Sequence, residues 1–580
     1  LQVRKWVKPD FTGQVSGKLL LPIPNKGTAY DYCYVASEGA WKLWTDTLPR
    51  FEIEHGTPYA QIVVPTSTTA QMGYLLELLL KEDLPVLICG PTGTGKSANI
   101  MKTLLKSLNQ DKYKPLCLGF SAKTTAGMTQ DTIDGKLDKR RKGVYGPPLG
   151  QKAIIFVDDL NMPEVETYGA QPPIELLRQF IDSGGWYDLK EKAWQSIVDT
   201  VLCSAMGPPG GGRNPTTPRF LRHFNLISFA DFDNTTLTRI FSTIVDWYFS
   251  SNSFSQEVQK AGASVVQATL DTYRSAMQEL LPTPAKSHYT FNLRDFSRVI
   301  QGTLMVSSTD EFGKTELFRL WTHEALRVFG DRLTDDPDRE WFVTHLQSMC
   351  SKHFSLNFAD VFAHLDTIGG GKLGSTELRS LFYGDFMTPT DEDFRPYEEV
   401  QDLKALQGRI EEYLTEFNAN SRAPMNLVMF MFACEHVSRI SRVLRMPGGN
   451  ALPVGVGGSG RQSVSRLAAF MAGATVKQIE ISKNYGNIEW REDLKIVLRD
   501  AGTADAPVVF LFSDTQIKRE TMVEDINNIL NSGEVPNLFP NDEKVAICEL
   551  VRPFAKEVFG RAAQDMTQIA LYSFFITRVR

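Results

Sequence analysis

Eight consecutive residues, Gly90-Pro91-Thr92-Gly93-Thr94-Gly95-Lys96-Ser97, place an ammonium and a hydroxyl directly behind a run of glycines. In that order, after a buried strand and ahead of a helix, the types suit phosphate. Backbone N–H groups and the helix start converge on phosphate oxygens, Lys96 contacts the β and γ phosphates, and Ser97 offers Mg²⁺ an oxygen. The cofactors implied are ATP or ADP with Mg²⁺. Phosphoryl transfer also needs a carboxylate on the metal side and a group that orients water. Asp158, 62 residues after Lys96, closes the apolar run Ile154–Val157 and is the expected metal carboxylate. Asp159 stands where ATP-hydrolysing sites with this loop often carry Glu. One methylene shorter, its carboxylate falls roughly 1.3 to 1.5 Å short of that position, which predicts slow turnover.

A second glycine loop, Gly455-Val456-Gly457-Gly458-Ser459-Gly460-Arg461-Gln462-Ser463, follows 365 residues downstream behind the apolar approach Leu452-Pro453-Val454. The glycine spacing is kept, but Lys has become Arg461 and the hydroxyl position has become Gln462. Arg can contact phosphate but differs from Lys in bulk and geometry. Ser463, one place late, would have to turn inward to reach a metal. The run Val508–Ser513 leads to Asp514, 53 residues after Arg461, and then to Thr515, which has no carboxylate. A hydroxyl is a poor base at neutral pH. This loop therefore reads as a pocket that holds nucleotide without cleaving it, or as a structured loop that holds none.

Short apolar runs at 86–89, 116–120, 153–159, 200–204 and 224–229, separated by helical sequence, are the pattern of a parallel sheet covered by helices. Ligands in such sheets lie at the carboxyl ends of the strands, where Lys96 and Asp158 fall. The fold class predicted is α/β, with two tandem modules, each a parallel sheet flanked by helices. A helical small domain follows the first module, and the second is truncated. The boundaries read as a lead-in at 1–50 rich in Trp, Tyr, Pro and Gly, a first α/β domain at 51–250, a helical domain at 251–395 and the second α/β domain at 396–580. Helical periodicity marks 59–80 and 391–446, and 98–108 reads as the helix behind the first loop.

The 580 residues carry a net charge of −6, so there is no overall basic field for a polyanion and nucleic acid is disfavoured. No apolar stretch approaches the ~20 residues of a membrane span, and no signal peptide is visible. The abrupt ends, Leu1 and an Arg580 that follows an apolar run, suggest a segment of a longer polypeptide. Seven cysteines without CxxC spacing read as small buried hydrophobes in a reducing compartment. His323-Glu324 begins a zinc-protease pattern that Arg327 breaks, and Asp366–Glu377 imitates a calcium loop with Ile368 and Gly370 where oxygens are needed.

Four long strings carry a specific likeness. Ile155-Phe156-Val157-Asp158-Asp159-Leu160-Asn161-Met162-Pro163, Gly169 to Gln179, His323 to Leu333, and Gly533-Glu534-Val535-Pro536-Asn537-Leu538-Phe539 resemble the motor region of axonemal dynein heavy chains. They fall in the order of the third and fourth AAA+ modules of the ring, and the form of the second loop leans toward an inner-arm type. The resemblance implies an ATPase segment of a minus-end-directed microtubule motor, placed in the cytoplasmic cytoskeleton of the ciliary or flagellar axoneme. Its implied partners are the remaining AAA+ modules of the same chain, microtubules only through a stalk that matches nothing here, and intermediate and light chains, with no nucleic acid or membrane. It assigns Arg222, or alternatively Arg219, as an arginine finger reaching the preceding module, and Arg294 as a sensor arginine for the Lys96 site. The polar sensor residue after Met206 is replaced by Gly207 and a Pro/Gly loop through Gly212. A structural scaffold without turnover and another AAA+ translocase are the competing readings.

Overall fold

The computed structural model describes residues 24–580 except 25, 36, 49–50, 190, 211, 310, 367–372, 390–393, 422 and 565. The lead-in before residue 24 and the middle of the calcium-like loop lie outside the described residues. The chain divides into two compact units: Leu1–Leu118, Leu137–Asn161 and Gln179–Ile244 form one, and Gly119–Lys136, Met162–Arg178 and Val245–Arg580 the other.

In the first unit a hairpin of β1 (Tyr32–Val35) and β2 (Ala40–Leu43) precedes α1 (Ser67–Lys81). Helix α1 starts at Ser67 rather than Tyr59. Thr66 caps it, its Oγ1 accepting from the Thr69 N–H at 3.2 Å, and Met72, Leu76 and Leu80 recur every four residues as its buried stripe. β3 (Val86–Cys89) leads through the first glycine loop to α2 (Lys96–Lys102), which widens into a π-turn at Thr103–Ser107. Next come β4 (Tyr113–Gly119), β5 (Asp138–Arg141), β6 (Val144–Gly146), β7 (Lys152–Asp158), β8 (Gly185–Tyr187), β9 (Trp194–Ile197), β10 (Thr200–Met206) and β11 (Asn225–Ser228).

Five of these make one sheet in the order β11-β3-β10-β7-β4, and β3 pairs in parallel with both β10 and β11. β3, β7 and β10 are near-continuous apolar runs because both sheet faces are covered, with Val86, Leu87, Ile88, Ile154, Ile155 and Leu202 almost wholly buried. The strand that feeds the glycine loop is thus central, and the strand ending at Asp158 lies one strand beyond β10. A second sheet, β5-β6-β9-β8, has no counterpart in the sequence reading. Its strands are three or four residues long and polar on one side, too short for periodicity to reveal.

The second unit is mainly helical: α3 (Gln256–Glu279), α4 (Leu293–Thr303), α5 (Lys314–Val328) and α6 (Asp336–Met349) form its first part. The stretch read as helix at 391–446 instead begins with a hairpin, β12 (Phe382–Gly384) against β13 (Glu398–Val400), before α7 (Leu403–Asn420) and α8 (Met431–Arg445). Then follow α9 (Arg461–Met471), β14 (Thr475–Lys477), α10 (Asn487–Thr503), β15 (Val508–Phe510), α11 (Glu520–Ser532), α12 (Asn541–Phe559) and α13 (Gln568–Val579). β14 and β15 are parallel and form a sheet of two. Residues 452–454, the apolar approach to the second loop, do not form a strand. Leu452, Val454 and Val456 are 89%, 86% and 78% exposed. β3 is held between β10 and β11, whereas among the described residues β14 and β15 pair only with each other.

Helix α8, which leads toward that loop, is fastened to α5 by a buried polar node. Arg442 Nε donates to both Glu324 oxygens (3.1 and 3.0 Å), Tyr397 Oη donates to Oε1 (2.9 Å), and His323 Nδ1 lies 3.0 Å from the same oxygen. The broken zinc-protease pattern is thereby accounted for as structure. Burial pushes the His323 imidazole down to about 4, while the Arg442 charge and the bonds around Glu324 hold its carboxyl well below the usual range against the effect of burial. Cysteines 203, 350, 434 and 548 are buried as expected, but Cys117 is exposed and Cys33 and Cys89 are half-buried.

Candidate functional site

β3 ends at Cys89 and the chain turns through 90–95 with Gly93 and Gly95 in the left-handed region (φ 87° and 73°), so that α2 begins at Lys96. Gly90 N–H donates to Met206 O on β10 at 3.2 Å. A Cβ on Gly90 would drive into the carbonyl of Phe229, so β11 presses directly on the loop's entry. Lys96 is buried inside the turn, its Nζ donating to the Gly90 carbonyl at 2.7 Å and to that of Pro91. Thr94 Oγ1 donates to Pro91 O at 3.0 Å.

Burial and then the nearby Arg213 charge lower the Lys96 ammonium's pKa, partly offset by Asp158 and Asp159. The Asp158 carboxyl is raised by burial, opposed by a hydrogen bond with the Ser97 side chain and by the Asp159 N–H, which donates to Oδ1 at 3.0 Å. The fold therefore gathers Lys96, Ser97, Asp158 and Asp159. A cation held on backbone carbonyls, beside a hydroxyl and a half-buried carboxylate, fits a phosphate chain with Mg²⁺, a hard cation that takes oxygen ligands. Ser97 and Asp158 are the residues that would hold the metal.

Asp159 does not stand free. Its backbone is left-handed (φ 51°), a conformation Asp tolerates, and its Oδ1 accepts from Arg213 Nη2 at 2.9 Å. Arg213 Nη1 reaches Thr92 Oγ1 at 2.6 Å. The sequence reading missed Arg213. The signal available was an Arg immediately after the Pro208–Gly212 run that follows β10, where the reading stopped at the lost sensor. In that place the Gly207 carbonyl accepts from Asn161 Nδ2 at 2.8 Å.

Arg222 closes the short helix Pro218–Leu221 ahead of β11. Its side chain is 63% exposed and pairs with Asp182 at 3.3 Å; no described bond joins it to Lys96. Arg219 is exposed on the same helix. Arg294 lies exposed in the first turn of α4 in the other unit, its backbone N–H donating to Asn292 Oδ1 at 2.8 Å.

The second loop repeats the backbone of the first. Gly458 and Gly460 have φ of 79° and 75°, and α9 begins at Arg461. Its surroundings differ. Gly455, Gly457, Gly458 and Ser459 are exposed, Arg461 and Ser463 are half-buried, and Gln462 Oε1 accepts weakly from Gln478 Nε2 at 3.5 Å. Asp514 does not end a strand. It opens a 3-10 turn, Asp514–Gln516, beyond the three-residue β15, and is exposed. Among the described residues no hydrogen bond joins Asp514 to Arg461, Gln462 or Ser463.

Residues 51–232 match the family described as P-loop containing dynein motor region, residues 265–364 the AAA+ lid domain, and residues 425–580 the P-loop containing dynein motor region D4. The chain is 48% identical over 559 residues to dynein axonemal heavy chain 3 of Homo sapiens, covering 96% of this chain and 13% of that protein. It is 49% identical over 567 residues to Homo sapiens dynein axonemal heavy chain 1 (93% and 13%), and 47% identical over 477 residues to dynein axonemal heavy chain 12 of Rattus norvegicus (82% and 15%). It thus spans about an eighth of the length of the first curated relatives it matches.

Proposed function

Because this chain belongs to the axonemal dynein heavy chains, in their tandem AAA+ motor region, we propose that its first pocket binds Mg-ATP and hydrolyses it slowly, and that its second holds nucleotide without efficient hydrolysis. The observation that carries this is the gathering of Ser97 and Asp158 beside a buried Lys96 in the first pocket, where the Ser97 side chain helps hold down the Asp158 carboxyl, against an exposed Asp514 with no described bond to its loop in the second. In this reading Lys96 binds and orients the β and γ phosphates, and Ser97 and Asp158 hold the metal. Bound Mg²⁺ supplies charge neutralisation at the phosphates. Asp159 orients water, working against its own shortness and its bond to Arg213.

Arg222 serves as the finger that reaches the preceding module, and Arg294 as the sensor arginine for the Lys96 site, both side chains being exposed. Residues 51–250, 251–395 and 396–580 serve as first α/β domain, lid and second α/β domain. In the whole heavy chain the segment regulates a minus-end-directed microtubule motor of the axoneme. Its immediate partners are the other modules of that chain, with microtubules and intermediate and light chains engaged by parts outside this segment. The bond between Arg213 and Asp159 favours the competing scaffold reading, in which nucleotide serves structure alone.

Counting nucleotide retained per chain after equilibration with Mg-ATP separates these. About two are expected for the native chain and about one for Lys96→Ala, with the residual nucleotide uncleaved. Native turnover is expected below the ~1 per second at the low end for enzymes. Equal retention and equal cleavage in Lys96→Ala would overturn the proposal.

A further inference from the structure

Arg213 is built into the first pocket more tightly than any assigned role requires. Its Nη1 and Nη2 are used by Thr92 Oγ1 (2.6 Å) and Asp159 Oδ1 (2.9 Å), while Nε is buried with no partner. The side chain has room only because residue 207 is glycine, since a Cβ there would lie 2.6 Å from Nε. A guanidinium presents five N–H donors in a fixed fork, and the two bonds to Thr92 and Asp159 leave part of this fork unfilled. Lys96 feels the Arg213 charge as the largest influence on its pKa after burial. Two cations that close in a half-buried site repel one another, and an anion entering between them relieves the repulsion.

Resting on the reading of this pocket as a Mg-ATP site, we propose that Arg213 is a specificity-determining residue that exchanges partners. It grips Asp159 in the arrangement described and transfers to the terminal phosphate of a bound triphosphate, which frees the Asp159 carboxylate. A diphosphate lacks that phosphate and leaves the grip intact. Triphosphate occupancy and the release of the acid are then one event. Arg213 thereby takes up, from the far side of the glycine loop, the position opposite the terminal phosphate that Gly207 has no side chain to fill.

The test is the affinity ratio for ATP over ADP, titrated with fluorescent analogues of each on the 580-residue chain, taking as first-pocket signal the part lost in Lys96→Ala. Arg213→Ala is expected to weaken ATP by about 10- to 100-fold and ADP by less than about threefold, with Arg213→Lys intermediate because it keeps charge but not the fork. Asp159→Asn removes the competing carboxylate and is expected to tighten ATP by about threefold or more. Equal weakening of both nucleotides in Arg213→Ala, or unchanged or weaker ATP binding in Asp159→Asn, overturns the inference. Should Arg213→Ala not fold, as thermal unfolding would reveal, the Asp159→Asn arm decides. Loss of no signal at all in Lys96→Ala would instead show that the pocket reading itself has failed.

Discussion

The two glycine loops share a backbone and differ in everything that holds it. Gly93 and Gly458 (φ 87° and 79°), and Gly95 and Gly460 (φ 73° and 75°), trace the same turn into a helix that starts one residue later. Yet Val86, Leu87 and Ile88 before the first loop are wholly buried between β10 and β11, while Leu452, Val454 and Val456 before the second lie in solvent. The turn is therefore a local property of its glycines. The chemistry is not: only where neighbouring strands fix the entry does a strand-end carboxylate gather with the loop's hydroxyl beside a buried lysine. The first loop is braced by apolar strands on both sides, the second from behind by a helix pinned through an ionic node.

That contrast breaks most visibly at the node. Glu324→Gln leaves the Arg442 guanidinium buried without its counter-charge, which costs about 3–5 kcal/mol. Denaturant unfolding, with hydrogen exchange resolving segments, should show the loss in α5, α8 and residues 446–460 and little in β3 and β10. Replacing Glu324 and Arg442 together by methionine should recover most of it. Uniform loss across both units would mean that the second loop has no separate brace.

A smaller effect tests the brace of the first loop. Gly90→Ala forces a methyl into the Phe229 carbonyl and should cost about 1–3 kcal/mol. Gly455→Ala meets nothing closer than the mobile Ser459 Oγ at 3.3 Å and should stay within about 0.5 kcal/mol of the native chain. Equal thermal shifts for the two would erase the distinction.

The same contrast explains what could be read from the residues alone. The five-stranded sheet was legible because β3, β4, β7 and β10 are long or buried on both faces, and Lys96, Ser97 and Asp158 were legible because their spacing is imposed by that sheet. The short strands β5, β6, β8 and β9 carry too few residues for a period of two to register. Arg213 was hidden because its role depends on an exit loop folding back over the phosphate turn, a contact across 121 positions that no local pattern encodes. The apolar approach 452–454 is like the run before the first loop in composition, yet it lies exposed and pairs with no described strand.

The finest test is acidity, since burial shifts the titrating groups beside the two loops in opposite directions, His323 down and Asp158 up. His323 is buried against Glu324, its ring tilted against that of Tyr383 (centroids 5.0 Å apart), and feels the positive charges of Arg327 and Arg442. Its folded-state pKa falls from 6.5 to about 4, so the unfolded chain takes up a proton that the folded one refuses. This contribution to stability is fully present above about pH 6.5 and is lost as the pH falls toward about 4, with a slope of at most about 1.4 kcal/mol per pH unit. The depressed Glu324 carboxyl loses its contribution only at still lower pH. Between these limits, amides of α5 and α8 should lose protection in hydrogen exchange while those of β3 and β10 should not, because the raised Asp158 carboxyl takes up its proton more readily folded than unfolded. His323→Gln should flatten the difference. A slope that survives that substitution would place the titrating brace elsewhere and leave the two loops distinguished by their strands alone.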